Sequence, residues 1–440
     1  MYLFFRKLKI NKRIEGKENK LHINFIVTRL STMMFFQYFV LGSWFATLGL
    51  ILSENGMSSI IGTAYAVGGI AAIISPVFIG MITDRFIPSQ KVLGLVNLLG
   101  AILLWIIPAQ IEAGNGTAFI LLMFLYMLLY NPTYSLTNNI SMSNVKDSVK
   151  YFPVIRVCGT FGFIAAGILI GTLGYSSSPV AFYIGAIMAV VLGLYSFTLP
   201  NTPAPGKGKP FSFRDALCLD AFKMLKDRYY LIFIICTTVL FIDHAAYISF
   251  TSVFLGDIGI QDVASFMTIG QFSEVIFMLL IPFFFKRLGY KWMFLIGMLA
   301  WVLRMSLFAL GAPEAVVSML YIGIALHGLC WDFFFVTGYL YTDSVAGEKI
   351  KGQAQGLIIM FTQGIGMLVG SYLAGSLFNQ TVTAHGTEAL EQWQVFWFYP
   401  AIIAIIVAVV FFFFFKFPKS NHESVPNNKE NNGELNENLI

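Results

Sequence analysis

Charge is what this sequence has least of. Only 12% of its 440 residues are Asp, Glu, Lys or Arg, 57% are hydrophobic, and the mean hydropathy is +0.74. Soluble domains carry about 25% charged residues, so a water-soluble enzyme is excluded. Histidine and cysteine are scarce too: five His, and four Cys at 158, 218, 236 and 330. They make no CxxC or HExxH pattern and no disulfide framework, so no metal site is expected. A GxxxxGK[ST] phosphate loop is also missing. The Gly206-Lys207-Gly208-Lys209 run has the wrong spacing, which argues against an ATP-driven pump.

Phenylalanine and glycine are abundant, at 44 and 39 residues. Bulky rings facing acyl chains and small residues letting helices approach closely suit a helical bundle in lipid. A spanning helix needs about 20 mostly apolar residues. Twelve segments qualify: 31–53, 59–83, 90–110, 117–142, 154–174, 178–199, 229–255, 262–285, 291–311, 315–341, 352–378 and 394–416. The one long interior connection, 200–228, opens with four prolines and closes with an amphipathic stretch from Phe211 to Tyr229. The predicted fold is an all-α membrane protein of two pseudo-symmetric six-helix bundles, 31–199 and 229–416. A tail (1–30), a linker (200–228) carrying an amphipathic helix and a disordered tail (417–440) complete the chain.

Positive charge sets the orientation. Of 28 Lys and Arg, 26 lie in the two tails, in the loops after even-numbered helices or at those helix ends. The loops on the opposite side hold none, although they carry Glu54, Glu112, Asp257, Asp262, Glu314, Glu388 and Glu391. Basic residues stay cytoplasmic, which predicts a multi-pass protein of the plasma (inner) membrane with both termini inside.

Five ionisable residues sit well within spans: Arg156, Asp243, Glu274, Arg304 and Asp332. Each costs roughly 2.5–3.5 kcal/mol on insertion scales and so usually faces a polar cavity or another charge. Their neighbours at helical spacing are polar or aromatic. Arg156, Thr160 and Phe163 share a face at i, i+4, i+7, Gln271 stands three residues before Glu274, and Asp243 stands four before Tyr247, with His244 adjacent. His327 and Trp331 are i, i+4, with Asp332 one step round, while the first and fourth spans add Gln37 with Trp44 and Asn138 with Asn139. One shared central cavity is the expectation. Plainer roles exist for the same residues: an ion pair or snorkelling for Arg304, an interhelical hydrogen bond for Gln271 with Glu274, a satisfied bundle histidine for His327, and interhelical glue for the asparagines. Three carboxylates against two arginines leave one negative charge unmatched. A desolvated, unpaired carboxylate tends to take up a proton, which is what proton coupling requires.

The turn after the second span reads Gly80-Met81-Ile82-Thr83-Asp84-Arg85, followed by Lys91. This resembles the G-x-x-x-D-R/K signature of the Major Facilitator Superfamily, where acid and base form a breakable clasp, and it implies a gating role for Gly80, Asp84 and Arg85. Longer stretches resemble one branch, the bacterial nucleoside:proton symporters: Leu41-Gly42-Ser43-Trp44, Phe152-Pro153-Val154-Ile155-Arg156, Gln271-Phe272-Ser273-Glu274, Ala300-Trp301-Val302-Leu303-Arg304, Asp332-Phe333-Phe334 and Gln353-Ala354-Gln355-Gly356. The resemblance runs over about 33–416. It implies that Arg156, Thr160, Phe163, Gln271, Glu274 and Asp332 contact nucleoside or couple protons. Asp243 matches an acidic position, Trp331 replaces an aromatic, and His327 stands in place of a tyrosine. Amides expected after the acid of the seventh span are replaced by Ala245 and Ile248, with Tyr247 between.

The expectation is therefore an alternating-access symporter for nucleosides, functional as a monomer, with the proton as coupling ion, no cofactor and no nucleic-acid partner. Gln37, Asn138, Arg156, Thr160, Phe163, Tyr247, Gln271, His327 and Trp331 would bind substrate, and Asp243, Glu274 and Asp332 would carry protons. The alternatives are a carrier of the same fold for another small polar solute such as a sugar, and a membrane-embedded enzyme using His327 and Asp332.

Overall fold

Hydrocarbon offers no water to backbone N–H and C=O groups, so a chain this apolar must bond them internally, and helices do so within one segment. A computed structural model describes residues 23–145, 147–204, 214, 217–347 and 349–416, and among the described residues there is no strand. The side chains of 76–86, 148 and 149 lie outside this description. So do both outer portions of the chain and, with them, the predicted tail at 417–440.

The elements are α1 (Ile23–Gly42), α2 (Leu48–Glu54), α3 (Ile61–Phe86), α4 (Ser89–Glu112), α5 (Gly116–Ser143), α6 (Ser148–Thr172), α7 (Val180–Ser196), α8 (Arg228–Asp257), α9 (Val263–Gly311), α10 (Val317–Val345), α11 (Lys351–Thr381) and α12 (Leu390–Phe414). Among the described residues, ten helices are long and apolar enough to cross a membrane. Several begin on side-chain caps that satisfy otherwise orphaned donors. Asn115 accepts from the Ala118 N–H at 3.1 Å, Asp147 from Lys150 at 3.0 Å, and Asp227 from Tyr229 and Tyr230 at 2.9 and 2.8 Å.

The structure refines the sequence reading at three places. Helix α1 starts at Ile23, inside the predicted tail, because Leu30, Met33 and Met34 pack into the bundle and the Tyr195 hydroxyl donates to the Arg29 carbonyl at 3.1 Å. The segments predicted at 262–285 and 291–311 are the two arms of the 49-residue stretch labelled α9. At ~1.5 Å per residue, α9 would reach ~73 Å if straight, more than twice the ~30 Å hydrocarbon core. It is not straight: Gly289 takes φ 64°, ψ 179°, a conformation open to glycine, and divides it into arms at 263–288 and 290–311. Of the predicted amphipathic stretch, Ala221–Lys226 is a 3-10 helix, while 211–213, 215 and 216 lie outside the described residues. Asp220 anchors it by accepting from Arg214 and Lys223 at 2.7 and 2.9 Å, and these two bonds hold its carboxyl well below the usual range.

The elements before the linker meet those after it along α3–α11, α6–α9 and α2–α8. Glycine makes this closeness possible. A Cβ on Gly62 would lie 2.7 Å from the Gly375 Cα, one on Gly49 2.2 Å from the Ser249 carbonyl, and one on Gly171 2.7 Å from the Ser265 nitrogen. Four hydrogen bonds cross between the halves among the described residues: Leu50 N–H to Ser252 Oγ (3.3 Å), Ala264 N–H to Ser176 Oγ (3.2 Å), Ser265 Oγ to the Ile168 carbonyl (3.4 Å) and Asn379 Nδ2 to the Ser59 carbonyl (3.1 Å). All four sit at the end of the bundle whose loops lack Lys and Arg, so that end is closed.

A bulky side chain at Gly62 has no room in the closed arrangement. We expect Gly62→Leu to lower the disulfide yield of a Ser59→Cys/Asn379→Cys pair several-fold relative to the same pair with Gly62 intact, as measured by gel shift under oxidising conditions.

Candidate functional site

The ionisable residues of the interior stand further along the helices, away from the closed end. Arg156, on α6, is half-buried. Its guanidinium lies 4.4 Å above the Tyr38 ring of α1, and the Tyr38 ring meets that of Tyr134, on α5, at 5.8 Å. Arg156 is within electrostatic reach of Glu274 on the facing arm of α9. Glu274 Oε2 lies 4.0 Å from His327 Nε2, on α10. Asp332, one turn beyond His327, is fully buried and within electrostatic reach of Glu274. One charge cluster thus joins α6, α9 and α10, with Arg156 from the first half and the acids from the second.

Around it stand groups suited to a flat, polar ligand. Thr160 and Phe163 continue the Arg156 face of α6, Thr160 buried and Phe163 half-buried. Gln271, one turn before Glu274, has a buried Oε1 with no hydrogen-bond partner. His327 is stacked between Trp331 (6.2 Å, 15°) and Tyr247 (5.7 Å, 23°). Both carboxylate oxygens of Asp332 and the Nδ1 of His327 are buried without a partner. Orphaned polar atoms are rare in folded interiors and need an explanation such as a ligand.

Other expected site residues are placed differently. Gln37 is fully buried and donates to Thr133 Oγ1 at 2.5 Å, tying α1 to α5. Trp44 lies in the turn between α1 and α2 and stacks on Phe182 at 5.6 Å. Asn138 is half-buried one turn after Tyr134, while Asn139 bonds Ser89 Oγ at 3.0 Å. Asp243 is fully buried on α8 with neither oxygen partnered, apart from the Arg156–Glu274–Asp332 cluster. Gly80, Asp84 and Arg85 fall on the last turns of α3, where side chains lie outside the described set. Arg304 neither snorkels nor pairs with an acid among the described residues. It is fully buried, donates from Nε to the Gly323 carbonyl at 2.9 Å, and rests 3.7 Å above the Tyr247 ring. A groove of about 430 Å³ between α4 and α7 is lined only by apolar residues such as Leu98, Trp105 and Val190, and suits acyl chains rather than a polar solute.

Tyr38 and Tyr134 were missed by the sequence reading. Tyr134 precedes Asn138 by one helical turn, a spacing that could have exposed it. Tyr38 offered no such signal, because an aromatic residue in a membrane helix is ordinary.

The model of the nucleoside H+ symporter family matches residues 25–420. The chain belongs to that family. It is 38% identical to the putative nucleoside transporter YegT of Escherichia coli over 393 residues, covering 86% of this chain and 91% of that one. It is 33% identical to the xanthosine permease of the same organism over 430 residues, covering 91% and 99%. The crystal structure of the nucleoside transporter NupG superposes with a TM-score of 0.79 at 29% identity, over 89% of this chain and 99% of that one. The fold is that of the Major Facilitator Superfamily. The protein is a proton-coupled secondary transporter of this family rather than an enzyme, embedded in a membrane and using no cofactor.

A cation over an aromatic face contributes about 0.5–2 kcal/mol. Tyr38→Ala is therefore expected to raise the KM for uptake roughly 2- to 30-fold, while Tyr38→Phe, which keeps the ring, stays near wild type. Uptake kinetics in proteoliposomes measure both.

Proposed function

We propose that this protein takes up nucleosides with protons across the plasma (inner) membrane, working as a monomer by alternating access of two six-helix bundles. In this reading α1 with α2 make one crossing and the arms of α9 make two, giving twelve in all, with both chain ends cytoplasmic. The bundles are 31–199 and 229–416, and their cytoplasmic linker is 200–228. The lysine-free, closed end is then external, so the conformation is inward-facing. The observation that carries the reading is the cluster itself: Arg156 from one half within electrostatic reach of Glu274 from the other, with His327 and Asp332 around Glu274 and stacked aromatic rings beside them.

Such a site can hold a nucleoside in two parts. Trp331 and Phe163 offer faces for the base, an apolar wall with few placed polar groups being the usual form of a small-molecule site. Arg156, Thr160, Gln271, His327 and Asn138 offer hydrogen bonds to hydroxyls and base edges. Tyr247 and Gln37 stand behind this layer, the first under His327 and the second between α1 and α5. Proton arrival at Glu274 removes the negative charge that faces both Arg156 and His327, freeing Arg156 for the substrate. Asp332 shares the coupling through its proximity to Glu274, and Asp243 is a further acid carried by the second half. With substrate and proton bound, the halves rock about the site, as in transporters built from repeats. Gly80, Asp84 and Arg85 would form the cytoplasmic clasp of the opposite state.

The test is uptake of labelled uridine into proteoliposomes under an imposed proton gradient, with competition by purine and pyrimidine nucleosides, free bases and sugars. Competition by nucleosides alone supports the reading, and competition by sugars alone overturns the substrate. Glu274→Gln is expected to abolish accumulation driven by the gradient while sparing exchange of internal for external nucleoside. Concentrative uptake by that variant would remove Glu274 from the coupling role.

A further inference from the structure

The mechanism above uses neither Arg304 nor Ser273, yet both grip the element that carries half of the site. Helix α10 is not continuous. Its regular part Val317–Ala325 ends one residue before Leu326, a short piece His327–Cys330 follows, and Trp331–Val336 form a π-helical turn. A regular α-helix would direct the Gly328 N–H to the Ile324 carbonyl. Here it bonds Ser273 Oγ at 3.2 Å, and that hydroxyl in turn donates to the Ala325 carbonyl. The freed carbonyls of Gly323 and Ile324 are taken by Arg304, from Nε at 2.9 Å and Nη2 at 3.4 Å. Three successive carbonyls are thus satisfied from outside the helix, by the two arms of α9. Past the break, Thr337 Oγ1 donates to the Asp332 carbonyl at 3.0 Å.

The residues set by this irregular stretch are His327, Trp331 and Asp332. Gly328 lets α10 lie against the first arm of α9, since a Cβ there would collide with the Ser273 carbonyl. Ser273 also precedes Glu274, so the bond that holds the break open fixes Glu274 at the height of His327. Arg304 reaches the same ring by a second route, because its guanidinium rests on Tyr247 and Tyr247 stacks on His327. Discontinuous helices and π-turns recur at transport and other functional sites because they release backbone groups and re-aim side chains.

We propose that Arg304 and Ser273 are positioning residues that hold the break in α10 open, and so set where His327, Trp331 and Asp332 stand relative to Glu274. The proposal rests on reading the cluster as the transport site. Lysine cannot replace Arg304, since it lacks the planar fork that spans two carbonyls while stacking on a ring. Ser273→Ala removes the second grip with little change of volume, and Ser273→Thr restores the hydroxyl.

Hydrogen–deuterium exchange and uridine uptake on the same detergent-purified and reconstituted protein test it. Arg304→Lys and Ser273→Ala should each speed amide exchange within 323–337 while leaving α4, α7 and α12 unchanged. They should raise the KM for uridine roughly tenfold or more, and displace the pH profile of uptake, with Ser273→Thr close to wild type. Exchange unchanged at 323–337, or a KM and pH profile unaltered per folded molecule, overturns the proposal. If Arg304→Lys does not fold, Ser273→Ala decides by the same readouts. If the wild-type protein takes up no nucleoside, the functional reading fails, and the exchange pattern still decides whether these residues hold the break.

Discussion

A polar group inside a bilayer must find its partner within the protein, and this requirement organises the second half of the molecule. Where α10 leaves helical geometry, its carbonyls cannot turn to water. A guanidinium and a hydroxyl supply the bonds instead. The cost of bringing Arg304 into hydrocarbon is offset by two carbonyl dipoles and the faces of Tyr247 and Trp301, the latter 5.0 Å away. No carboxylate among the described residues is spent on it, so the acids of the interior remain available for exchangeable partners.

The first half solves the matching problem differently. Arg156 has the Tyr38 ring beneath it and Glu274 of the other half within electrostatic reach. Tyr126, Tyr130 and Tyr134 form a ladder along α5, with ring centroids 5.6 and 5.4 Å apart, and Tyr130 donates to the Gln37 carbonyl at 2.8 Å. This ladder backs the Tyr38 platform and ties α1 to α5. The arginine is therefore held in place without its charge being quenched, which keeps it responsive to what arrives opposite.

Much of this was legible in the sequence, for physical reasons that vary by residue. Apolar runs of bilayer length marked the helices, and intramembrane charge marked Arg156, Glu274 and Asp332, because such residues are too costly to sit idle. Spacing alone placed Thr160 and Phe163 with Arg156, and Gln271 with Glu274. What escaped were features set by tertiary contact. The earlier start of α1 depends on packing of Leu30 and Met33, and the break in α10 on a serine from another helix. Gln37 is bonded through Nε2 between α1 and α5 while its Oε1 has no partner, a division that spacing alone could not show. Family membership followed from the quoted motifs, and the wider match of the chain bears it out.

At the closed end main chain lies against main chain at Gly62 with Gly375 and Gly49 with Ser249, and the four hydrogen bonds across it use neutral side chains. No titrating side chain is needed in such a seal. Its tightness is a matter of shape rather than of charge pairing. A seal of this kind lets the periphery stay mechanically constant while the interior is retuned from one solute to another.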